Sequence, residues 1–400
     1  MRSPIGYLFG RVAGSRANAF VVLFTLDAAY RALLITIVPQ RAYALLGSAT
    51  KVTLLYLAAS VAGLAVNLSV PILLHRFSRS TILTAAVSTA VLACALFATE
   101  TIPTLVIAII LQVSIGATLE VLINLYMLEN VARRDFNRFE PLRLLFGGST
   151  FVLCPWLGVV LDSRIAPNLT FAVAALLSIA LLISFRRLIL GNPDHAQQAP
   201  NPGESPPASS PLPLVPRFAR QPRLVLAWVL AIGRNGWWYM YLVYTPILVA
   251  NYGYGAETGG AIVSLGMLPM FVVRLWAALG ARFGIRALLV CSYAVTGIMT
   301  ILVGLSAGHP KLSLLLLVLA ACCATSIDGA GNVPFLRAVR PLERAQMTSV
   351  YMTFRHVASL VIPATFTVVL LFAPLSAVFL ASGTIGLGMA ALSRYLPRRL

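Results

Sequence analysis

Apolar residues run along this chain in long, nearly uninterrupted stretches, each closed by a short polar or Arg-bearing gap. Each stretch is about the 20 residues that a helix needs to cross a bilayer. Twelve such spans can be placed, at residues 17–39, 52–74, 80–99, 103–127, 142–161, 168–185, 224–250, 259–280, 287–307, 312–335, 345–372 and 375–395. The runs are too long and too evenly apolar for barrel strands, whose side chains alternate between lipid and lumen. The expected fold class is an all-α membrane protein with twelve transmembrane helices.

The gaps carry a second pattern. The basic turn after span 2, Pro71 to Leu83 (PILLHRFSRSTIL), returns after span 8 as Ala277 to Leu289 (AALGARFGIRALL). His75-Arg76-Phe77-Ser78 becomes Ala281-Arg282-Phe283-Gly284. Span 4 carries Glu120 and Asn124, and span 10 repeats acid-x-x-x-Asn as Asp328 and Asn332. Four-residue spacing puts each pair on one helix face. The chain reads as a duplication, with a six-helix bundle at 1–190 and another at 223–400. Between them, Gly191 to Pro216 holds 8 prolines in 26 residues. It cannot bury enough apolar surface to fold, which predicts a disordered cytoplasmic linker over 191–222.

Composition agrees with the pattern. Hydrophobic residues make up 59% of the 400 and charged residues 10%, against about 25% charged in soluble domains. The net charge of +18 does not indicate nucleic acid, because the basic residues sit in the gaps and form no basic domain. With the N-terminus in the cytoplasm, and with Arg143 and Arg394 at span ends counted with the gaps, 22 of the 30 basic residues fall inside and 4 outside, the other 4 lying deeper within spans. That asymmetry predicts cytoplasmic termini and an even number of spans. Residues 1–16 are polar and Arg-bearing, and span 1 outruns a signal peptide, so no cleaved leader is expected. Of the 30 basic residues 28 are Arg, a bias that with abundant Ala suggests a GC-rich bacterium and hence its inner membrane. The five cysteines lie in apolar runs without zinc spacing. No nucleophile elbow, phosphate loop or metalloprotease motif is present, so neither an enzyme nor a cofactor is expected.

Six spans, a long linker, six more spans, and a basic turn after spans 2 and 8: the chain resembles the major facilitator superfamily. The family's turn is G-x-x-x-D-R-x-G-R-R. Here Pro71 stands for the first glycine, His75 for the aspartate, Ser78 for the second glycine and Ser80 for the last arginine, while Arg76 and Arg79 match. In the second copy Arg282, Gly284 and Arg286 match and Ala281 replaces the aspartate. In span 5, Pro155 and Gly158 match the family antiporters' G-x-x-x-G-P-x-x-G-G, where Thr150, Cys154 and Val159 depart from it. Gln112 stands where many members place an arginine in helix 4. The resemblance implies two bundles related as parallel repeats that rock about a central site, with the span 5 match leaning toward export.

Seven charged residues lie within spans and clear of their ends: Asp27, Arg31, Glu120, Arg234, Arg274, Asp328 and Arg355. Each costs about 2.5–3.5 kcal/mol at the bilayer centre, so they must face a wet cavity or one another. Asp27, Glu120 and Asp328 are the candidates for proton coupling, since a carboxylate paired with a cation can change partner on taking a proton. Asp27 with Arg31 one turn on could equally be a fixed ion pair. Arg234, Trp237, Trp238 and Tyr241 form one helical stripe suited to an anionic or aromatic ligand, or to packing. Arg31, Gln112, Asn124, Asn332, Arg355 and His356 complete the candidate substrate-binding set. Arg76, Arg79, Glu129, Arg274, Arg282 and Arg286 are the candidate gating residues. Glu120 and Asp328 could alternatively lock a gate through Arg274 or the turn arginines, and Arg355 could pair with Asp328.

The expected protein is a monomeric secondary transporter of a small organic molecule, driven by the proton gradient and working as an exporter. The alternatives are an importer or uniporter of a small organic anion, or a scaffold or receptor that moves nothing. The expected partners are the solute, the bilayer and protons.

Overall fold

The structure is a computed structural model and describes residues 16–130, 136–190, 214–340 and 343–397. Among the described residues every regular element is helical. In chain order these are α1 (Arg16–Leu46), α2 (Ala49–Arg76), α3 (Arg79–Phe97), α4 (Ile102–Asn130), α5 (Phe136–Val160) and α6 (Leu169–Leu190). They continue as α7 (Val215–Ala219), α8 (Pro222–Asn251), α9 (Ala256–Met267), α10 (Val273–Phe283), α11 (Ile285–Leu305) and α12 (Pro310–Ala330). The last four are α13 (Val333–Ala338), α14 (Arg344–Tyr351), α15 (Phe354–Phe372) and α16 (Ser376–Ser393). Among the described residues nine spans are long and apolar enough to cross a membrane. Two shorter apolar stretches, Ile102–Gly116 and Ala256–Val272, and the helix α8 lie where the sequence predicts three more. The chain is a multi-pass, all-α membrane protein. The predicted linker falls largely on residues 191–213, outside the described residues.

Helix ends depart from the hydropathy boundaries for identifiable reasons. Span 1 is expected to stop at Pro39, yet α1 runs through it to Leu46. Membrane helices tolerate proline because neighbouring groups re-satisfy the freed carbonyl, and Gly47, at φ +65°, makes the actual stop. Three predicted spans are broken. Span 8 is interrupted by a 3-10 turn at Leu268–Val272, span 10 at Gly331, φ +51°, and Asn332, and span 11 at Met352 and Thr353.

The residues divide into two compact units, Met1–Ile35 with Ala58–Ser205, and Thr36–Leu57 with Pro206–Leu400. In the first, α3 carries the turn predicted to be special. Ser78 caps it, its hydroxyl accepting the Thr81 N–H at 3.1 Å. The α3–α6 contact is filled by Phe97 and Phe171, stacked at 5.3 Å. At Gly158, α5 meets the Leu33 carbonyl of α1 so closely that a β-carbon would collide with it. The Gly158 carbonyl accepts the Thr170 hydroxyl.

In the second unit α8 is the central helix, and α11 crosses α16 through Gly297, Gly383 and Gly386, where the backbones touch. Small residues allow this approach, which gains dispersion contacts that lipid does not replace. Residues 36–57 join this unit through side chains. Gln40 Nε2 donates to the Ala256 carbonyl at 3.0 Å, Thr50 to the Leu370 carbonyl at 3.2 Å, and Thr53 Oγ1 lies 2.7 Å from Tyr244 Oη. Tyr56 stands edge-on to Tyr239 with centroids 6.5 Å apart.

Candidate functional site

Each unit holds its own cluster of intrahelical charge. In the first, the i, i+4 register of α1 brings Arg31 back onto Asp27, whose Oδ2 it ion-pairs. Asp27 is 1% exposed and Arg31 34%. The arginine stem runs past α4 at Gly116, where a β-carbon would sit 3.8 Å from Arg31 Cδ. Gln112, one turn before that glycine, is half-buried. Arg143 places its guanidinium 5.1 Å from the Phe24 ring centroid, three residues before Asp27 on α1. Sequence reasoning counted Arg143 with the gap before span 5. The helix in fact begins at Phe136, so Arg143 lies two turns inside it.

In the second unit α8 and α12 face one another across Arg234 and Asp328. Arg234 Nε lies 3.6 Å from Asp328 Oδ1, and Trp238 Nε1 donates to Asp328 Oδ2 at 2.8 Å. Arg234 Nη2 also donates to Asn332 Oδ1 at 3.4 Å, and that oxygen accepts the Tyr351 hydroxyl at 3.2 Å. The Phe354 ring lies 5.9 Å from the guanidinium. Two of the helix breaks build this cluster. Asn332 is the residue after the left-handed Gly331, and Tyr351 and Phe354 flank the break at Met352 and Thr353. A cavity of about 10 Å³ beside Arg234 is lined by Tyr293, Gly331 and Tyr351, room for about one water molecule.

The predicted stripe on α8 divides between two neighbours. Arg234 and Trp238 meet Asp328. Trp237 instead donates to Thr300 at 2.9 Å, Tyr241 donates to the Ile262 carbonyl at 2.6 Å, and the two rings stack at 5.3 Å. Both are buried and serve helix packing. Arg355 is exposed and His356 half-buried at the start of α15. Arg76 ends α2 and Arg79 begins α3, while Arg282 and Arg286 flank Gly284, φ +86°, between α10 and α11. Tyr351 and Phe354 were missed, since a ring in an apolar run carries no signal of its own. The side chains of Glu120, Asn124, Glu129 and Arg274 lie outside the described residues. Among the described residues no group of His, Cys, Asp and Glu could hold a metal ion.

Each of the two helical units thus holds a charged pair inside long apolar helices. The Major Facilitator Superfamily profile matches residues 19–277, and the chain belongs to that family. No curated protein sequence matches it. Among solved structures it is similar to a mutant of the nucleoside transporter NupG, with a TM-score of 0.74 and 14% identity over 95% of this chain and 99% of that one. It is also similar to the peptide transporter POT in complex with sulfate, at 0.70 and 12% over 94% and 93%. For a D-xylose-proton symporter the values are 0.69 and 11% over 96% and 98%. At these identities the likeness establishes the fold.

Proposed function

We propose that this protein moves a small organic solute across the membrane by alternating access, coupled to protons, in the direction of export. The observation that carries the reading is the pair of intramembrane ion pairs, Asp27–Arg31 and Asp328–Arg234. A carboxylate held by a cation in low dielectric releases it on protonation, which is the step that coupling needs. A similar structure named as a proton symporter supports proton coupling on this fold. The close seat of Gly158 against Leu33 supports the antiporter-like reading of α5. The arginine asymmetry supports cytoplasmic termini in a bacterial inner membrane, with bundles 1–190 and 223–400 working as a monomer. In this reading Arg76, Arg79, Arg282 and Arg286, with Glu129 and Arg274, govern the cytoplasmic gate. Glu120 is a further proton-carrying acid, and Gln112, Asn124, Asn332, Arg355 and His356 line the solute path.

Uptake of a small organic anion is the second reading. Arg234 favours it, because its guanidinium shares its site with aromatic rings and a hydrogen-bonded indole.

The test is metabolite profiling of cells and medium, with wild type and Asp27→Asn expressed to one level. A compound that builds up outside only with wild type is the expected result. Build-up inside overturns export, and Asp27→Asn that still concentrates solute overturns the coupling role of Asp27. No difference from empty vector overturns transport and leaves a scaffold.

A further inference from the structure

The Asp328 carboxylate is held from one side by two donors of the same helix. Trp238 Nε1 donates to Oδ2 at 2.8 Å, and Arg234, one turn earlier on α8, reaches Oδ1 from 3.6 Å. Two donors converging on one carboxylate make a receptor for carboxylates in general, and Asp328 is its resident occupant. The hold is uneven. The indole bond is of ordinary length, whereas charge-assisted N–H···O bonds are typically about 2.7–2.9 Å long, so the arginine contact is loose. The Asp328 side chain is 28% exposed, nearly twice the 15% of Arg234, so the occupant can be reached. Arg234 does not depend on it for position, since Asn332 and the Phe354 ring hold the guanidinium from elsewhere.

Charge decides what can replace Asp328. A second carboxylate beside an ionised Asp328 would put two negative charges against one arginine in low dielectric, a repulsive arrangement. Asp328 carrying a proton on Oδ1 or Oδ2 leaves Arg234 uncompensated, which is costly for a charge held by protein. A solute carboxylate restores neutrality, and the trio of arginine, neutral Asp328 and solute anion then carries the same net charge as the resting pair. We infer that this site takes an organic monocarboxylate, bound by Arg234 and Trp238 in place of the Asp328 carboxylate, together with one proton on Asp328. The inference rests on the transporter reading and deepens it. Proton and carboxylate travel in one direction, which replaces the antiporter-like reading of α5 with symport: export of such an acid runs on its own accumulation in the cell, and uptake runs on the proton gradient.

The experiment uses the full chain in detergent at pH 7, with acetate and benzoate as probes, acetamide and benzamide as uncharged counterparts, and chloride as ionic control. Asp328→Ala is expected to melt below wild type and to regain part of the loss in acetate but not in acetamide or chloride. Asp328→Asn, which keeps the side-chain shape, carries the test if the alanine variant does not fold. It is expected to bind benzoate about tenfold or more tightly than wild type does, from the strength of hydrogen bonds to charged groups. Adding Arg234→Gln to Asp328→Asn is expected to remove that binding. Amides acting as well as carboxylates, or no probe shifting either Asp328 variant, overturns the ligand class. Flux in proteoliposomes separates the two readings. Carboxylate binding without flux of the bound acid overturns transport alone, and flux of other solutes without carboxylate preference overturns the ligand class alone.

Discussion

Trp238 and Asp328 are joined across α8 and α12 by an indole N–H···carboxylate bond of 2.8 Å, while Trp237, the residue before it on α8, donates instead to Thr300. Adjacent tryptophans therefore do different work. Trp238→Phe keeps most of the ring and deletes the donor to Asp328. It is expected to weaken solute affinity several-fold with a stability loss of about 1 kcal/mol, the usual net value of one hydrogen bond. Trp237→Phe removes the indole donor to the Thr300 hydroxyl, which keeps its own bond to the Thr296 carbonyl at 2.7 Å, and is expected to cost about 1 kcal/mol with affinity unchanged. Thermal unfolding and transport KM on both variants check the division. Equal effects on KM would remove Trp238 from the site.

The Asp27–Arg31 pair behaves as a unit. Arg31→Gln leaves the Asp27 carboxylate, 1% exposed, without its main counter-charge, and breaking a buried pair costs about 3–5 kcal/mol. The double variant Asp27→Asn with Arg31→Gln removes both charges and is expected to be the more stable of the two. Unfolding midpoints of the two singles and the double give the coupling energy directly. Additive losses would show that the pair contributes nothing as a pair.

Gly158 tests the seat of α5 on α1. Gly158→Ala sets a β-carbon against the Leu33 carbonyl, where the neighbour is backbone and cannot swing aside. Overpacking of this kind costs about 1–3 kcal/mol. The expected readout is a lowered melting temperature, with Gly148→Ala, which has open space at its β position, as the unaffected control.

The long helices were legible because an apolar run of membrane length has few alternatives to a buried helix. The breaks inside them were not. Hydropathy averages over the side chains of a run and does not sense backbone angle, so Gly331 at φ +51° looked like any small residue. Pro269 sits in the 3-10 turn, but Pro39, Pro246 and Pro363 lie inside continuous helices, so proline alone did not mark a break. The stripe on α8 was real as periodicity. It is wide enough to touch two neighbours, which is why Arg234 and Trp238 parted from Trp237 and Tyr241. The acids were found as expensive residues in lipid, whereas the partner of Asp328 needed coordinates: the sequence offered Arg274, the turn arginines or Arg355, and the structure supplies Arg234.

The two copies of the basic turn begin their following helices by different means. Ser78 has ordinary extended backbone at φ −63° and uses its hydroxyl as a cap. Gly284 uses no side chain and adopts φ +86°, ψ 143°, a conformation close to glycine's own territory that costs other residues about 1–3 kcal/mol. Exchange between the two turns is thus a one-way street. Ser78→Gly should cost only a few tenths of a kcal/mol, as glycine replaces serine caps cheaply, whereas Gly284→Ser should cost the full strain. Unfolding midpoints of the two reciprocal variants would measure how far the two turns are from interchangeable, and a chimera carrying two copies of the first turn should fold worse than one carrying two copies of the second.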